Sequence, residues 1–424
     1  MLELSKLEMP AEGCRIEVIG DRMFVPDDPI IPIIEGDGVG PDVARAMQPV
    51  IDAAVHAAYG GDRKIVWLKV HAGETALSVY NSLLPEDTLK AIQYFRIAIK
   101  GPLTEPMNGE YGSLDVAMRQ NLDLFACIRP VKYIVGIPSP VVAPEKMDVV
   151  IFRESVEDVY SGVEYAQGTA EAEKIISFMN DSFGVGIKGD SRIGIKSMSE
   201  SATKRLVRMA IRYAIDHGRS SVTLVHKDKI MKNNEYDFRQ WGYEVAKEEF
   251  AAKIVTENEL SSMSSKVLPV NRIMIKDRTA EGMFQQLLTC PDEYDVIVAP
   301  SLDGDCLFKF CAAQVGGLSI VPGASLNEGI AVFEAPHGSA PEYAGRNIAD
   351  PSSLILSAAM MLEYMGWNEA ADLVTDALSS AILRIYDGKI IYSTSQFASV
   401  IIESLEQTHE PISYRKEHVK ASVR

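Results

Sequence analysis

Two stretches of this chain carry residue types that could do chemistry by themselves. Glu35-Gly-Asp-Gly-Val-Gly40 follows an apolar run and opens a helix-like pattern. That is the setting in which glycines let a backbone cradle phosphate. Its spacing is G-x-G-x-G, so the third glycine is misplaced for a dinucleotide fingerprint. On the residues alone, a tight strand-to-helix turn is the better reading. Cys306 and Cys311 invite a zinc site, but no second Cys or His pair stands near them. Plain buried thiols are the reading preferred. All five cysteines (Cys14, Cys127, Cys290, Cys306 and Cys311) are scattered, which fits a reducing compartment and not a disulfide framework.

The elements that must position any site alternate along the chain. Pro29-Ile-Ile-Pro-Ile-Ile34 is a β-branched apolar run, and from Asp42 onward Val43, Met47, Val50, Ile51 and Ala54 recur at helical spacing. Residues 96–100, 148–152, 221–225 and 295–299 read as buried strands; 200–217, 235–250, 278–289 and 352–380 read as helices. Strands separated by helices predict α/β layers, and 424 residues predict two domains. Residues 251–270 are polar and Ser-rich and read as a surface excursion; from Thr408 the chain reads as a charged tail.

Composition narrows the function classes. Apolar residues make up 47% and charged residues 24%, the balance of a globular protein with a large core. The net charge of −17 disfavours nucleic acid, and no basic stripe with interleaved aromatics offsets it. No apolar run approaches the roughly 18 residues a membrane span needs. With no secretory h-region after Met1, the expected location is cytoplasmic.

More specific than any of these are the stretches IIPIIEGDGVGPDV, AIKGPLTEP, RQNLDLFACIRPV, VIFRESVEDVYSGVEY, SVTLVHKDKIMK, AAQVGG and FEAPHGSAPEYAG. Through them the chain resembles the isocitrate/isopropylmalate dehydrogenase family from about Pro29 to Glu403. The resemblance implies that family's α/β fold, which is not a Rossmann fold. It implies a large domain (1–124 and 315–424), a small domain (125–157 and 200–314) and a clasp (158–199) that interlocks two subunits. It also implies a homodimer with shared active sites in a cleft between domains, a small hydroxy acid as substrate, and no nucleic acid or membrane partner.

The same resemblance supplies candidate roles. Arg119, Arg129 and Arg153 match arginines that grip substrate carboxylates, a task suited to planar guanidinium forks. Tyr160 and Lys227 match the catalytic pair, with Lys227 contributed by the partner subunit and its pKa lowered by neighbouring arginines. Ser113 matches the residue that meets the γ-carboxylate. Asp115 and Glu105 stand where Asn and Thr are usual, so that end of the pocket reads as less welcoming to an anion. Of the three aspartates expected to hold Mg²⁺ or Mn²⁺, only Asp305 is unchanged; Glu281 and Lys309 occupy the other positions. Glu281, Asp305 and Lys309 together carry the same formal charge as three aspartates with a divalent cation, so Lys309, which replaces a ligand, either stands in for the metal or, after drift, is merely ion-paired.

His337, Gly338, Glu342, Tyr343 and Asp350, with Thr104, match the nucleotide site. Glu342 takes the place of a lysine that neutralises the 2′-phosphate of NADP, and the segment after Ala381 is short, so the expected cofactor is NAD rather than NADP. Arg384 and Arg346 are partial substitutes for the missing clamp. The function read from all this is NAD-linked oxidation, with decarboxylation, of isocitrate or a related 2-hydroxy-polycarboxylate. Two alternatives stay open: a metal-free enzyme for another hydroxy acid, and an inactive regulatory paralogue.

Overall fold

The computed structural model describes residues 6–20, 22–105, 113–227, 234–265, 267–388 and 392–407. The tail expected from Thr408 lies outside them. Two compact units emerge: one of Met1–Asn108, Ile128–Asp148 and Lys309–Arg424, the other of Gly109–Cys127 and Val149–Phe308.

Strands of the first unit run in the order Ala126–Lys132, Ala324–Leu326, Ala331–Glu334, Ile97–Lys100, Ile30–Ile34 and Val66–Lys69. All neighbours from Ala331–Glu334 to Val66–Lys69 are parallel, and Ala324–Leu326 runs antiparallel to its partner Ala331–Glu334. The Ile30–Ile34 and Ile97–Lys100 strands are buried along their whole length, as a parallel sheet covered on both faces requires. Helix Gly40–Tyr59 starts straight from the glycine turn and buries Val43, Met47, Val50, Ile51 and Ala54, the predicted stripe. Its end is marked by Gly60 in the left-handed region, φ 63°.

In the second unit the order is Ile254–Thr256, Ile273–Thr279, Ser221–His226, Val296–Ala299 and Asp148–Glu154, all parallel. A short antiparallel pair, Glu164–Tyr165 with Ile193–Gly194, and helix Ala170–Phe183 make up much of 158–199. The α/β class expected from the sequence is the one observed. Among the described residues no helix is long and apolar enough to cross a membrane.

Three boundaries differ from the sequence reading. The helix expected over 352–380 is two, Ser352–Tyr364 and Asn368–Gly388, because Gly366 takes φ 76° and ends the first. The segment 278–289 begins as strand and becomes helix only at Ala280, where Thr279 accepts from the Gly282 N–H at 3.3 Å. The polar excursion 251–270 contains strand Ile254–Thr256 and helix Glu257–Ser262, joined by a Thr256/Glu259 capping box. Hydrophobic periodicity carries no record of such a short polar helix; the cap does.

The Gly36–Gly40 turn is built by close approach. A Cβ on Gly36 would lie 2.3 Å from the Pro102 carbonyl oxygen, one on Gly38 1.9 Å from that of Ser339, and one on Gly40 2.4 Å from that of Glu35. Gly36 and Gly38 also hold φ of 87° and 58°. The turn is therefore a tight packing joint, as its spacing indicated. Gly38→Ala should cost roughly 2–4 kcal/mol, because strain and a backbone clash add. Gly60→Ala meets nothing within 4 Å and should cost about 1 kcal/mol. Paired urea melts check the difference, and equal midpoints would show that the clash is relieved.

Candidate functional site

In the first unit the sheet delivers charge to the ends of its central strands. Lys100 and Glu334 are register partners in adjacent parallel strands, and their side chains meet at 3.1 Å. Glu334 also accepts from Arg129 Nη2 through a short contact and from Ser325 Oγ at 3.0 Å. Arg129 Nη1 donates to the Ala324 carbonyl at 3.1 Å. Gly323 is pressed so closely that a Cβ there would sit 2.2 Å from Arg129 Nη1. Lys100, Arg129 and Glu334 are all buried. One carboxylate thus answers two cations.

The loop from His337 to Asp350 leaves the same end of the sheet. Val39 N–H donates to the Ser339 carbonyl at 2.8 Å, and Thr104 Oγ1 donates to Ser339 Oγ at 2.8 Å. Asp37 accepts from the backbone of Glu74 at 2.9 Å and of Thr104 at 2.8 Å. Farther along, Thr394 N–H donates to the Asn347 carbonyl at 2.9 Å, and Thr394 Oγ1 to that of Ala349 at 2.6 Å. These anchors frame a cleft of about 550 Å³, within the size range of cofactor sites. His337, Gly338, Tyr343 and Asp350 line it. Burial lowers the His337 pKa, so the imidazole is neutral, and its buried Nε2 has no protein partner. Asp350 accepts from Ser352 N–H at 2.9 Å, while burial raises its pKa. Glu342 and Arg346 are exposed, and the Arg346 guanidinium lies 5.5 Å from the Tyr343 ring.

The second unit gathers three expected residues at the end of strand Asp148–Glu154. Arg153 Nε donates to the Ser301 carbonyl at 2.9 Å and Nη1 to Asp305 Oδ1 at 2.8 Å. Its guanidinium sits over the Tyr160 ring at 4.3 Å, and Tyr160 donates its O–H to Asp305 Oδ2 at 3.2 Å. Arg153 is buried, yet its Nη2 has no hydrogen-bond partner among the described residues. Asp305 lies near the start of helix Ser301–Val315, whose Gly304 is flush against Arg153. Lys227 lies just past strand Ser221–His226 and pairs with Glu281 at 3.1 Å. The Glu281 hydrogen bond and charge raise its pKa, which corrects the expectation of a lysine lowered by arginines. Ser113 caps helix Leu114–Asn121, accepting from Val116 N–H at 3.3 Å. Asp115 stands in the first turn of that helix, where the N-terminus favours a carboxylate, and Arg119 is buried in its last turn.

A family model described as isocitrate/isopropylmalate dehydrogenase matches residues 30–401. This chain belongs to that family. It is 49% identical to the isocitrate dehydrogenase [NADP] of Archaeoglobus fulgidus over 96% of this chain and 100% of that one. It is 48% identical to the isocitrate dehydrogenase [NADP] of Pseudomonas aeruginosa over 94% of this chain and 99% of that one. A crystal structure of isocitrate dehydrogenase from Methylococcus capsulatus superposes with a TM-score of 0.74 at 31% identity, covering 89% of this chain and 100% of that chain.

These relatives correct two expectations about an isocitrate/isopropylmalate dehydrogenase of this kind. The preference for NAD over NADP is overturned, since both sequence relatives are named for NADP. Physically, Glu342 is exposed and screened by water, while Arg346 lies over the Tyr343 ring in the same loop. The doubt over a Mg²⁺ or Mn²⁺ cofactor is withdrawn too, because enzymes of this family use Mg²⁺ or Mn²⁺. Lys309 is exposed one helical turn beyond Asp305. Glu281 remains a hard oxygen donor, one methylene longer than aspartate. Among the described residues of one chain, no three metal-ligating groups converge.

Sequence reasoning missed Lys100 and Glu334. The signal was a charged residue closing each of two apolar strands that otherwise read as fully buried. Replacing Glu334 with alanine strands two buried cations and should destabilise the fold by about 3–5 kcal/mol. Chemical denaturation of Glu334→Ala tests this, and a loss below about 1 kcal/mol, the worth of an exposed pair, would show the cluster to be solvated.

Proposed function

We propose that this chain is an isocitrate dehydrogenase that oxidises and decarboxylates isocitrate using NADP and Mg²⁺ or Mn²⁺. The observation that carries this reading is the Arg153 guanidinium: buried, half satisfied by Asp305 and Ser301, and left with an unspent Nη2 donor beside the Tyr160 phenol. An unpaired buried donor is costly. A carboxylate of a substrate meets that cost bidentately.

Residues of each unit then have separate tasks. In the first unit, the cleft lined by His337, Gly338, Tyr343 and Asp350 takes the adenosine half of the nucleotide. A neutral His337 can lie against adenine without repelling or attracting charge, and open space at Gly338 lets phosphate approach the backbone. Thr104 holds the loop through Ser339, and Arg346 meets the 2′-phosphate. In the second unit, Arg153 and Arg119 orient the acid. Ser113 and Asp115 sit at the helix N-terminus that meets the γ-carboxylate.

When bound, NADP would take the hydride and the divalent cation would polarise the carbonyl; Asp305 and Glu281 are the oxygen donors that would hold the cation. Lys227, kept charged by Glu281, relays the hydroxyl proton by passing one on as it takes one up. Tyr160 returns a proton to the enol carbon, its phenol aimed by the hydrogen bond to Asp305 and by the Arg153 face beneath it.

Several exposed apolar side chains in 158–199, among them Phe178, Phe183 and Val185, support a second copy interlocking there as a clasp. The division into large domain, small domain and clasp, and a cytoplasmic location, belong to the same reading. No contact specifically favours a metal-free enzyme or an inactive paralogue.

Turnover decides. Isocitrate with NADP should yield NADPH and carbon dioxide, and a chelator should abolish it until Mn²⁺ is restored. Arg346→Ala should raise KM for NADP roughly ten-fold, the loss of one charged hydrogen bond, and leave NAD turnover unchanged. Faster turnover with NAD, or full activity in chelator, would reject the cofactor or the metal respectively.

A further inference from the structure

Between Arg153 and Tyr160 the chain makes an abrupt turn that substrate binding alone does not explain. Strand Asp148–Glu154 ends at Glu154, and the 3-10 helix Asp158–Ser161 that carries Tyr160 starts four residues later. Glu154 points back inside. Its Oε1 accepts three successive backbone N–H groups: Ser155 at 3.1 Å, Val156 at 3.0 Å and Glu157 at 3.3 Å. The residue is only 7% exposed, and Oε2 is buried without a hydrogen-bond partner among the described residues. Burial pushes its pKa up to about 7, against the lowering effect of those N–H groups. Burying a carboxylate this way is expensive, and a plain turn does not require it.

Just past these three N–H groups the backbone is strained. Asp158 is a non-glycine residue at φ 65°, a conformation that persists only when its surroundings enforce it. Enforcement comes from both sides. Asp158 N–H donates to the Ser197 carbonyl at 2.9 Å, Glu157 accepts from Ser199 N–H at 2.8 Å and Ser199 Oγ at 2.7 Å, and Ser155 Oγ donates to the Leu124 carbonyl at 2.6 Å. Glu154 gathers three peptide groups of the turn itself, and Asp158 Oδ1 takes the next, from Val159 N–H at 2.7 Å. Two residues after Asp158, the phenol reaches Asp305 and its ring lies against Arg153.

We infer that Glu154 is a positioning residue for the proposed reaction: its carboxylate winds the 155–157 backbone so that the Tyr160 phenol is delivered to Asp305 and the Arg153 face. The inference rests on the reading of Tyr160 as the proton donor, and its test separates the two. Glu154→Ala removes the acceptor; Glu154→Gln keeps an oxygen in place to accept the same N–H groups. A misplacement of about an ångström at a reacting group costs on the order of 100-fold. Glu154→Ala should therefore lower kcat by roughly 10–100-fold with KM for isocitrate within about three-fold, and Glu154→Gln should recover to within about three-fold of the parent. In a Tyr160→Phe background, Glu154→Ala should cost nothing further.

Geometry is read without turnover from tyrosine labelled with ¹³C at Cζ, the Tyr160 signal being assigned by its loss in Tyr160→Phe. That signal should move in Glu154→Ala and return in Glu154→Gln. If Ala does not fold, Glu154→Leu, which fills the space without accepting, takes its place. An unmoved signal, equal damage from Ala and Gln, or a full additional loss on top of Tyr160→Phe overturns the inference. If Tyr160→Phe is itself fully active while the signal still moves, the positioning stands and the proton-donor reading fails.

Discussion

A guanidinium taken out of water needs oxygen for each of its donors, and Arg153 is answered on only part of its rim. Asp305 and the Ser301 carbonyl hold Nη1 and Nε, Gly304 lets the helix come flush against the side chain, and Tyr160 covers one face. Burial makes each of these contacts strong and makes the unanswered Nη2 expensive. That one requirement shapes the surroundings. The strand must end just past Arg153, at Glu154, the 301–315 helix must start beside it, and the turn after the strand must bring a tyrosine back over the cation. Arg129 in the other unit obeys the same rule with its charge met by Glu334 and the Ala324 carbonyl, and it needs Gly323 for the same reason that Arg153 needs Gly304.

Legibility from sequence tracks how local the cause is. The glycine turn was readable, because G-x-G-x-G failed a spacing test and the structure supplies the positive reason in three carbonyl approaches. Buried strands such as Ile30–Ile34 and Val296–Ala299 were readable because full burial leaves continuous β-branched runs. The break at Gly366 was not, since Ser352–Tyr364 and Asn368–Gly388 are each apolar enough to hide the joint. The helix Glu257–Ser262 was obscured by its own polarity and announced only by a Thr and a Glu at capping distance.

Charge states were the least readable, because they depend on partners distant in sequence. Lys227 was expected among arginines; the fold gives it Glu281, and the sign of its shift reverses. The Lys100–Glu334 pair joins two strands more than two hundred residues apart in the chain through a single register match. No spacing rule set Glu154 apart, and only the folded turn shows it collecting three peptide N–H groups. Spacing rules describe helix faces and strand faces; they carry no information about which partner a folded loop or a distant strand will supply.

The two corrected expectations share a cause that separates them from the arginines. Glu342 and Lys309 are both exposed. At such positions water and salt screen a charge, its side chain can swing clear, and a change of sign costs the fold little. Such a change leaves the neighbours in place: Arg346 over Tyr343 beside Glu342, and Asp305 one helical turn before Lys309. Buried groups have no such latitude, since removing Arg153 would take an ion-pair partner from Asp305 and removing Glu334 would take a carboxylate from both Lys100 and Arg129. A substitution at an exposed position is therefore weak evidence that a site has changed its ligand, whereas an intact buried cation with a donor to spare is strong evidence that it still expects one.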